Sequence, residues 1–236
     1  ALKGDVPLKC DPSYVPLARA NNVTVAGIAN NHVYDYGHTG MEDTIKYLKD
    51  ANITPLGAGN SEDEAHQAVV KEVNGRKITI LNYMDSENFA EYPYEVLPYA
   101  NGSNPGYSAY DSADAQKQIA ENNDSDLIIA YMHFGNEYST SPNEDQVKIA
   151  HELIDYGADV VIGSHPHVPQ GVEMYNGKPI FYNLGNFMFD QSNPNTHSAY
   201  FVEFDVVNEN VTANVYPVYI SGYLPQFMDS SDGESL

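Results

Sequence analysis

Three short apolar runs in this chain are each followed by a histidine. The runs span residues 23–29, 127–132 and 160–162, and the histidines that follow them are His32, His133 and His165. Continuous apolar runs of this length predict buried β-strands. Because ligands bind at the carboxyl ends of the strands in open α/β sheets, we expect the three histidines to converge on one crevice.

Three helix starts are predicted from a Ser or Thr followed three residues later by Glu. This spacing is the capping box, in which the hydroxyl and the carboxylate both bond to backbone amides of the first turn. It occurs at Thr39, Ser61 and Ser141. The third helix is predicted to start with Pro142 and to run to Tyr156, with Gly157 as its left-handed stop. A fourth helix is predicted over residues 111–122.

The remaining periodic segments predict further strands. They span residues 77–83, 179–183, 199–207 and 211–220, and the last two alternate well enough to pair as an antiparallel hairpin around residues 208–210. Strands alternate with helices early in the chain and follow one another late in it. This order predicts an α/β fold, an α/β/β/α sandwich with two sheets between helices. We expect one domain over residues 1–228 and a polar tail over residues 229–236.

Composition narrows the classes of partner. The 236 residues contain 11 Lys plus Arg against 33 Asp plus Glu, a formal net charge of −22, which argues against nucleic acid or an anionic membrane surface. An anionic substrate would need bound cations to reverse the local field.

Cys10 is the only cysteine, so no intrachain disulfide is possible, and we expect it to be buried. No apolar run reaches about 18 residues, and because the chain starts without Met we expect that upstream sequence is not included.

The sequence Gly163-Ser164-His165-Pro166-His167 is typical of a metal-binding turn. Imidazole is the commonest protein ligand for Zn, Mn or Fe, and two histidines one residue apart aim at one volume only if the backbone between them bends. Pro166 fixes its own φ and is expected to hold His165 in an extended conformation. A surface turn that carries two histidines is the alternative. The similar histidines after two other strands favour the metal.

Four segments together resemble one known family. They are Ala29-Asn30-Asn31-His32 with Asp35-Tyr36-Gly37, then His133-Phe134-Gly135-Asn136-Glu137-Tyr138, then Gly163-Ser164-His165-Pro166-His167, and last Tyr182-Asn183-Leu184-Gly185-Asn186-Phe187. Their identity and order resemble the CapA family of poly-γ-glutamate capsule synthesis proteins. That family is related to calcineurin-like metallophosphoesterases, so the resemblance implies a sandwich of the calcineurin-like type.

The resemblance also implies roles for individual residues. Up to two divalent ions (Mn, Zn or Fe) would be bound, with Asn31, His133 and His165 on one metal and His167 on the other, and the metals would activate the attacking water. His32 would be the acid that protonates the leaving oxygen, and Asp35 would orient it.

Two further residues are candidate substrate contacts. Glu137 lies four residues beyond His133, and the alternative for it is an exposed loop carboxylate. Asn186 lies in a Gly-flanked turn, where asparagine often bonds its own backbone instead. His38, His66, His151 and His197 are expected to face solvent or to be satisfied in the core. Residues 85–110 are expected to form a loop that serves the site.

The chain departs from the family pattern at its start. Family members open with a strand that carries Gly-Asp and then a segment with Asn and Glu, which supply the bridging carboxylate. Asp5, in Gly4-Asp5-Val6, lies too close to Asn31 and is followed by the wrong residues. We therefore expect a chain that lacks the first strands of the fold, with an incomplete two-metal centre.

Three functions remain open from the sequence. The resemblance implies an extracellular capsule synthesis or export protein, anchored in the membrane through a segment not included here, that binds poly-γ-glutamate or another anionic polymer together with other capsule components. The alternative is a secreted metal-dependent hydrolase of a phosphoester or amide in a wall or capsule polymer. A degenerate, non-catalytic scaffold is the third.

Overall fold

The computed structural model describes residues 6–207 and 210–228 of the chain, and it divides into two compact units. The predictions for Asp5, for residues 208–209 of the hairpin turn and for the tail 229–236 lie outside the described residues. Within the described part, no helix has both the length and the apolar character needed to span a bilayer.

The chain contains five α-helices and thirteen strands among the described residues. The helices are α1 Val15–Ala20, α2 Gly37–Asp50, α3 Glu62–Ala65, α4 Ser112–Glu121 and α5 Glu144–Tyr156. The strands are β1 Val25–Gly27, β2 Thr54–Leu56, β3 Ala58–Gly59, β4 Val69–Val73, β5 Arg76–Met84, β6 Gly106–Tyr107, β7 Leu127–His133, β8 Val160–Ser164, β9 Val172–Tyr175, β10 Lys178–Phe181, β11 Ser198–Val207, β12 Asn210–Ser221 and β13 Leu224–Phe227.

The first unit comprises the described residues up to Val70, Ile80–Asp111 and Tyr131–His133. It holds two small sheets, β1 parallel to β2 and β3 antiparallel to β6. In its core, the buried side of α2 belongs to one cluster with residues that follow β1, with the last residues of β5 and β6, and with Phe89 after β5. The largest members are Met41, Tyr34, Met84, Phe89 and Tyr107.

The second unit comprises Lys71–Thr79, Ser112–Ala130 and the described residues from Phe134 onward. All strands of the six-stranded sheet, in the order β4-β5-β7-β8-β10-β9, contribute residues to it. Strand β10 is parallel to β8 and antiparallel to β9. A three-stranded antiparallel sheet, β11-β12-β13, packs on the larger sheet, where the rings of Phe181 and Phe204 meet edge to face at 6.2 Å. Helix α5 contacts β8, so this unit has the two facing sheets that the sequence predicts.

Most predicted strands are confirmed, but β1 lies in an unexpected sheet. The hairpin of β11 and β12 is antiparallel over its whole length. Strand β1 pairs with β2 and not with β7 or β8. The backbone groups at the end of β1 explain the difference. Ile28 N–H donates to Leu56 O of β2 at 2.8 Å, whereas Ala29 N–H and Tyr131 O of β7 both bond to the Asn82 side chain, each at 3.0 Å.

Two of the three predicted helix starts are wrong. Ser61 is the N-cap of α3, accepting from Glu64 N–H at 3.2 Å, as predicted. Helix α2 instead begins at Gly37, because Gly37 N–H bonds to Tyr34 O at 2.8 Å and continues the preceding turns into the helix. Helix α5 begins at Glu144, so Pro142 is not its first residue.

The true cap of α5 is an asparagine. Asn143 accepts from Gln146 N–H at 2.8 Å, and Gln146 Oε1 accepts from Asn143 N–H at 3.0 Å, a complete capping box. Ser141 lies two residues before this cap, and its carbonyl accepts bonds from Ser139 and Gln170. The predicted stop at Gly157 is confirmed by its φ of 119°. Cys10 is exposed, which corrects the expectation of burial.

Candidate metal-binding groups

The first unit carries an amide–imidazole pair. After β1 the chain enters a series of turns, in which Asn30 Oδ1 accepts from His32 N–H at 2.9 Å, and the next side chain, Asn31, is buried. His133, the last residue of β7, donates from Nε2 to Asn31 Oδ1 at 3.1 Å. The structure therefore brings together two residues that the sequence proposed as ligands of one metal.

This pair has suitable donor chemistry and spacing. Two donor atoms on one ion, each about 2.0–2.1 Å from it, lie about 2.8–3.4 Å apart, from the octahedral to the tetrahedral angle. The 3.1 Å between His133 Nε2 and Asn31 Oδ1 lies in that interval. Imidazole nitrogen and amide oxygen suit Mn, Zn or Fe. An ion bound by both atoms would replace the proton that they share here.

His32 and Asp35 form a hydrogen-bonded dyad. His32 Nδ1 donates to Asp35 Oδ2 at 2.8 Å, which fixes the imidazole tautomer and puts its lone pair on Nε2. The carboxylate is 1% exposed and also accepts from Leu8 N–H at 2.7 Å. The structure thus places Asp35 in contact with His32, and the buried Oδ1 of Asp35 has no hydrogen-bond partner among the described residues.

Asn82 is a positioning residue that sequence reasoning missed. It is buried at 2% exposure, accepts from Ala29 N–H and donates to Tyr131 O at 3.0 Å. It thereby joins the turn that precedes Asn31 to the strand that ends at His133. A buried asparagine inside an apolar strand was the available signal, because such a side chain must find partners.

The segment after β5, for which the sequence predicts a loop that serves the site, contacts His133. The ring of Phe89 stacks on the imidazole with centroids 5.7 Å apart and planes at 26°. Asp85, directly after β5, donates its backbone N–H to His133 O at 3.1 Å and is 5% exposed. From the sequence, Asp85 was predicted only to begin a loop; its burial next to His133 could not be predicted.

In the second unit, β8 ends in a strained turn. His165 and His167 both have positive φ, 105° and 64°, so the prediction that Pro166 holds His165 extended is wrong. The turn is held from outside, since Tyr138 N–H donates to Pro166 O at 2.8 Å. Positive φ in non-glycine residues costs on the order of 1–3 kcal/mol and concentrates at functional sites. The two rings lie 6.2 Å apart.

Asn186 fixes the tautomer of His167. His167 Nδ1 donates to Asn186 Oδ1 at 2.8 Å, while the amide nitrogen of the buried Asn186 donates to Gln191 Oε1 at 2.9 Å and to Thr196 O at 3.3 Å. The amide is thus held with its oxygen toward the imidazole, which leaves the lone pair on Nε2. A metal-binding histidine almost always has such a partner on its other ring nitrogen.

Two aromatic rings lie next to the imidazole of His167, and Glu137 lies on the exposed side of this turn. The ring of Tyr138 stacks on His167 at 6.0 Å and 27°, and Phe189 lies at 5.2 Å. Desolvation raises the pKa of Tyr138, and the negative charge of Glu137 adds to this. Glu137 itself is exposed.

The remaining histidines have other surroundings. His38 is exposed and bonds to Asn60 at 2.9 Å, His66 meets Tyr83 edge-on, and His197 bonds to Gln191 O at 3.0 Å. His151 contacts both carboxylate oxygens of Glu173. Across residues 6–207 and 210–228, no group of three or more His, Cys, Asp or Glu side chains is arranged to hold a metal ion.

The fold has a counterpart among solved structures. A protein from Staphylococcus aureus assigned as a 5′-nucleotidase, crystallised with α-ketoglutarate, matches over 94% of this chain and 43% of its own, with a TM-score of 0.59 and 16% sequence identity. At this identity the likeness concerns the fold alone. It confirms the predicted class, a mixed α/β fold with a central sheet.

Sequence comparison narrows the class to one family. Residues 1–191 match the family model of the bacterial capsule synthesis protein PGA_cap, and the chain belongs to that family. The capsule biosynthesis protein CapA of Bacillus anthracis is 32% identical over 234 residues, 96% of this chain and 55% of the relative. The PGA biosynthesis protein CapA of Bacillus subtilis (strain 168) is 34% identical over 204 residues, 85% of this chain and 51% of the relative. The chain thus spans about half the length of these relatives.

Proposed function

We propose that this chain acts in the synthesis or export of a poly-γ-glutamate capsule and binds divalent metal through its histidine groups. The relatives named for capsule and PGA biosynthesis support the first part. For the second part, the proposed ligands are Asn31 and His133 in the first unit and His165 and His167 in the second, with Mn, Zn or Fe as the metal.

The observation that carries the metal proposal is the bond between His167 and Asn186. An exposed turn histidine needs no buried amide to select its tautomer, whereas a ligand does. The positive φ at His165 and His167 supports the same reading, because such strain persists only where the surrounding structure maintains it. Metal would supply positive charge, which a chain of net charge −22 needs in order to hold a polyanion.

The first test is the metal content of the purified chain after incubation with Mn²⁺ or Zn²⁺ and dialysis against metal-free buffer. We expect bound metal in the parent and its loss in His133→Ala and in His165→Ala. His38→Ala is the matched control, because His38 is exposed and outside both groups. A His165→Ala variant that binds as much metal as the parent would show that the ligand assignment is wrong.

A metal-dependent hydrolase is the second candidate, and the His32–Asp35 dyad favours it. A histidine whose tautomer is set by a buried carboxylate is well suited to transfer a proton at Nε2. Bound metal would supply Lewis-acid activation of the scissile group. In this proposal the acid is the imidazolium form of His32, protonated at both ring nitrogens, which gives its Nε2 proton to the leaving oxygen of a phosphoester or to the leaving nitrogen of an amide in a wall or capsule polymer. The ring then returns to the neutral form with the lone pair on Nε2, and Asp35 stabilises the imidazolium and keeps the ring in position.

Turnover separates these functions. The metal-loaded chain is assayed with a chromogenic phosphoester and with poly-γ-glutamate, and polymer retention is measured in parallel. Turnover that His32→Gln removes while metal content is unchanged supports the hydrolase. Polymer retention without turnover supports the assembly protein. If the chain binds neither metal nor polymer, the result supports a non-catalytic scaffold.

We also propose an extracellular, membrane-anchored location at the cell surface, with other capsule synthesis or export components as partners. The capsule relatives support a role at the surface. Detection of the protein on intact cells by surface proteolysis, with a cytosolic marker as control, tests this location. A protein protected in intact cells and cleaved only after lysis would contradict it.

A further inference from the structure

The three-stranded sheet of the second unit presents exposed aromatic rings on its outer side. Phe201 on β11 lies directly opposite Tyr216 on β12, and Phe227 on β13 lies opposite Val218, the residue two positions beyond Tyr216. Residues two apart share one face of a strand. These three rings, together with Phe187, are here called the aromatic face.

The rings of the aromatic face touch one another and remain accessible to solvent. Phe201 lies 5.6 Å from Phe227 and 6.2 Å from Tyr216, Tyr216 lies 6.0 Å from Phe227, and Phe187 lies 6.2 Å from Phe201. Phe201 is 40% exposed, Tyr216 41% and Phe227 66%. Single exposed apolar residues are ordinary, but a contiguous exposed patch marks an interaction site.

Two carboxylates continue the same face along β11. Glu203 and Asp205 follow Phe201 at two-residue intervals and are exposed. Tyr216 Oη donates to Glu203 at 2.9 Å, and Asn214 donates to Asp205 at 2.8 Å. The side chains are therefore held next to the rings. Residues 179–236 contain no Lys or Arg, so this part of the sequence supplies no basic side chain to neutralise them.

The charges of the face select its partner. A polyanion or an anionic membrane would be repelled by Glu203 and Asp205. A second copy that paired along β11 would bring like charges together, and carboxylates on an edge strand oppose such pairing. Lysine and arginine side chains, in contrast, pair with carboxylates and stack on Phe and Tyr rings through cation–π contacts.

We propose that the aromatic face, with Glu203 and Asp205, is a docking surface for a protein segment that combines Lys or Arg with apolar residues. The apolar residues of the segment cover the four rings, and its cations lie against the two carboxylates. None of its four rings and two carboxylates is a proposed metal ligand, although Phe187 directly follows Asn186, the partner of His167. Docking on this surface therefore requires no metal.

The test uses a fluorescent octapeptide of alternating Lys and Phe, with an alternating Lys and Ser peptide as its control, and measures Kd by anisotropy in physiological salt. The double variants Phe201→Ser/Phe227→Ser and Glu203→Gln/Asp205→Asn are each expected to raise Kd about tenfold. Glu72→Gln/Glu121→Gln removes the same charge from exposed positions outside this sheet and is expected to leave Kd within about twofold of the parent.

Each other outcome overturns the proposal. Equal loss in the Glu72/Glu121 control, or equal binding of the Lys and Ser peptide, would mean attraction to the bulk charge. A parent dimer that Phe201→Ser/Phe227→Ser dissociates, measured by light scattering, would assign the face to a second copy. Absence of peptide binding would reject the surface. If a variant unfolds, the Kd comparison is replaced by crosslinking a photoreactive form of the Lys and Phe peptide to the parent protein. Crosslinks to residues outside 187–227 would contradict the proposal.

Discussion

His167 is a side chain whose proton position is set by its neighbour. Asn186 Oδ1 receives the Nδ1 proton, and Gln191 and Thr196 keep the amide from turning. The ring nitrogen that faces away from Asn186 therefore carries the lone pair. The structure thus specifies which ring nitrogen of the neutral imidazole carries the proton, and this can be measured.

We predict that Asn186→Leu changes the His167 tautomer. Without the acceptor, the neutral ring should shift toward the Nε2–H form, detected by ¹⁵N chemical shifts of labelled imidazole above pH 8. Metal affinity should fall about 10- to 100-fold. Asn186→Asp keeps an acceptor oxygen and should keep the Nδ1–H form. An unchanged spectrum in Asn186→Leu would show that the amide does not control the ring.

A second prediction concerns Glu173 and acid stability. The hydrogen bond from Tyr182 Oη, at 2.5 Å, and then the bond and charge of His151 lower the pKa of Glu173 below its ordinary value of 4.5. A carboxyl with a lowered folded-state pKa stabilises the fold above its unfolded pKa, and this contribution disappears as pH falls through the folded value. Burial, and then the bond to Glu173, raise the pKa of Tyr182.

The variant Glu173→Gln should therefore lose about 1 kcal/mol of unfolding free energy at pH 6. Glu173 is 37% exposed, so solvent screening keeps the loss small. Urea titrations at pH 6 and pH 3 should show the difference from the parent narrowing at pH 3. Glu72→Gln, an exposed control, should show no such pH dependence. A difference that widens at pH 3 would contradict the assigned sign.

At the scale of elements, the end of β8 is packed backbone against backbone. A Cβ on Gly163 would lie 2.0 Å from the carbonyl oxygen of Tyr182 and 2.6 Å from the Phe134 ring. A backbone oxygen cannot move aside as a flexible side chain can. The glycine before the His165 turn thus permits the close approach that sets where the turn begins.

We predict that Gly163→Ala destabilises the fold by about 3 kcal/mol, measured by urea denaturation. Gly171→Ala is the matched control, because nothing lies within 4 Å of the Cβ position there, and it should stay within about 0.5 kcal/mol of the parent. Equal stability of the two variants would mean that the β8 end can relax.

The start of α5 gives a prediction that separates two candidate caps. Asn143→Ala should cost about 1 kcal/mol, because it removes the acceptor for Gln146 N–H. Ser141→Ala should cost almost nothing, since Ser141 is not the cap. Both variants are compared by thermal unfolding. A larger loss in Ser141→Ala would favour the capping box predicted from sequence.

At the scale of the whole molecule, the net charge of −22 is the dominant property. Lysine and arginine are too few to balance it, and ion pairs such as Arg76–Asp126 and Lys178–Asp159 are local. Self-repulsion keeps a protein soluble but opposes its compact state. Bound cations, proposed for the histidine groups, would act in the same direction as salt.

We predict that the melting temperature rises by several degrees between about 10 and 150 mM NaCl, as the Debye length falls from about 30 to 8 Å. A variant with three exposed carboxylates changed to amides, at Glu72, Glu91 and Glu121, should respond less. Differential scanning calorimetry at constant pH measures both. A melting temperature that falls with salt would show that attractive ion pairs outweigh the repulsion.

Much of the fold and part of the site follow from local sequence. Strands β7, β8 and β11, helix α4 and the Gly157 stop of α5 are confirmed to within a residue or two, because periodicity and the left-handed preference of glycine act over a few neighbours. The pairing of His32 with Asp35 is local too. Short strands such as β9 and β13 were not predicted, because four residues are too few to show a clear alternation of apolar and polar positions.

The family, the main strands and helices, and the histidines that follow them can be recognised from the amino-acid sequence. Long-range contacts were needed to establish that β1 pairs with β2, that Asn82 joins Ala29 to Tyr131, that His165 has positive φ and that Asn186 selects the tautomer of His167. These features depend on contacts between residues far apart in the chain. A local pattern cannot contain them, because the energy that holds a strained turn or a buried amide comes from partners that meet only when the chain folds.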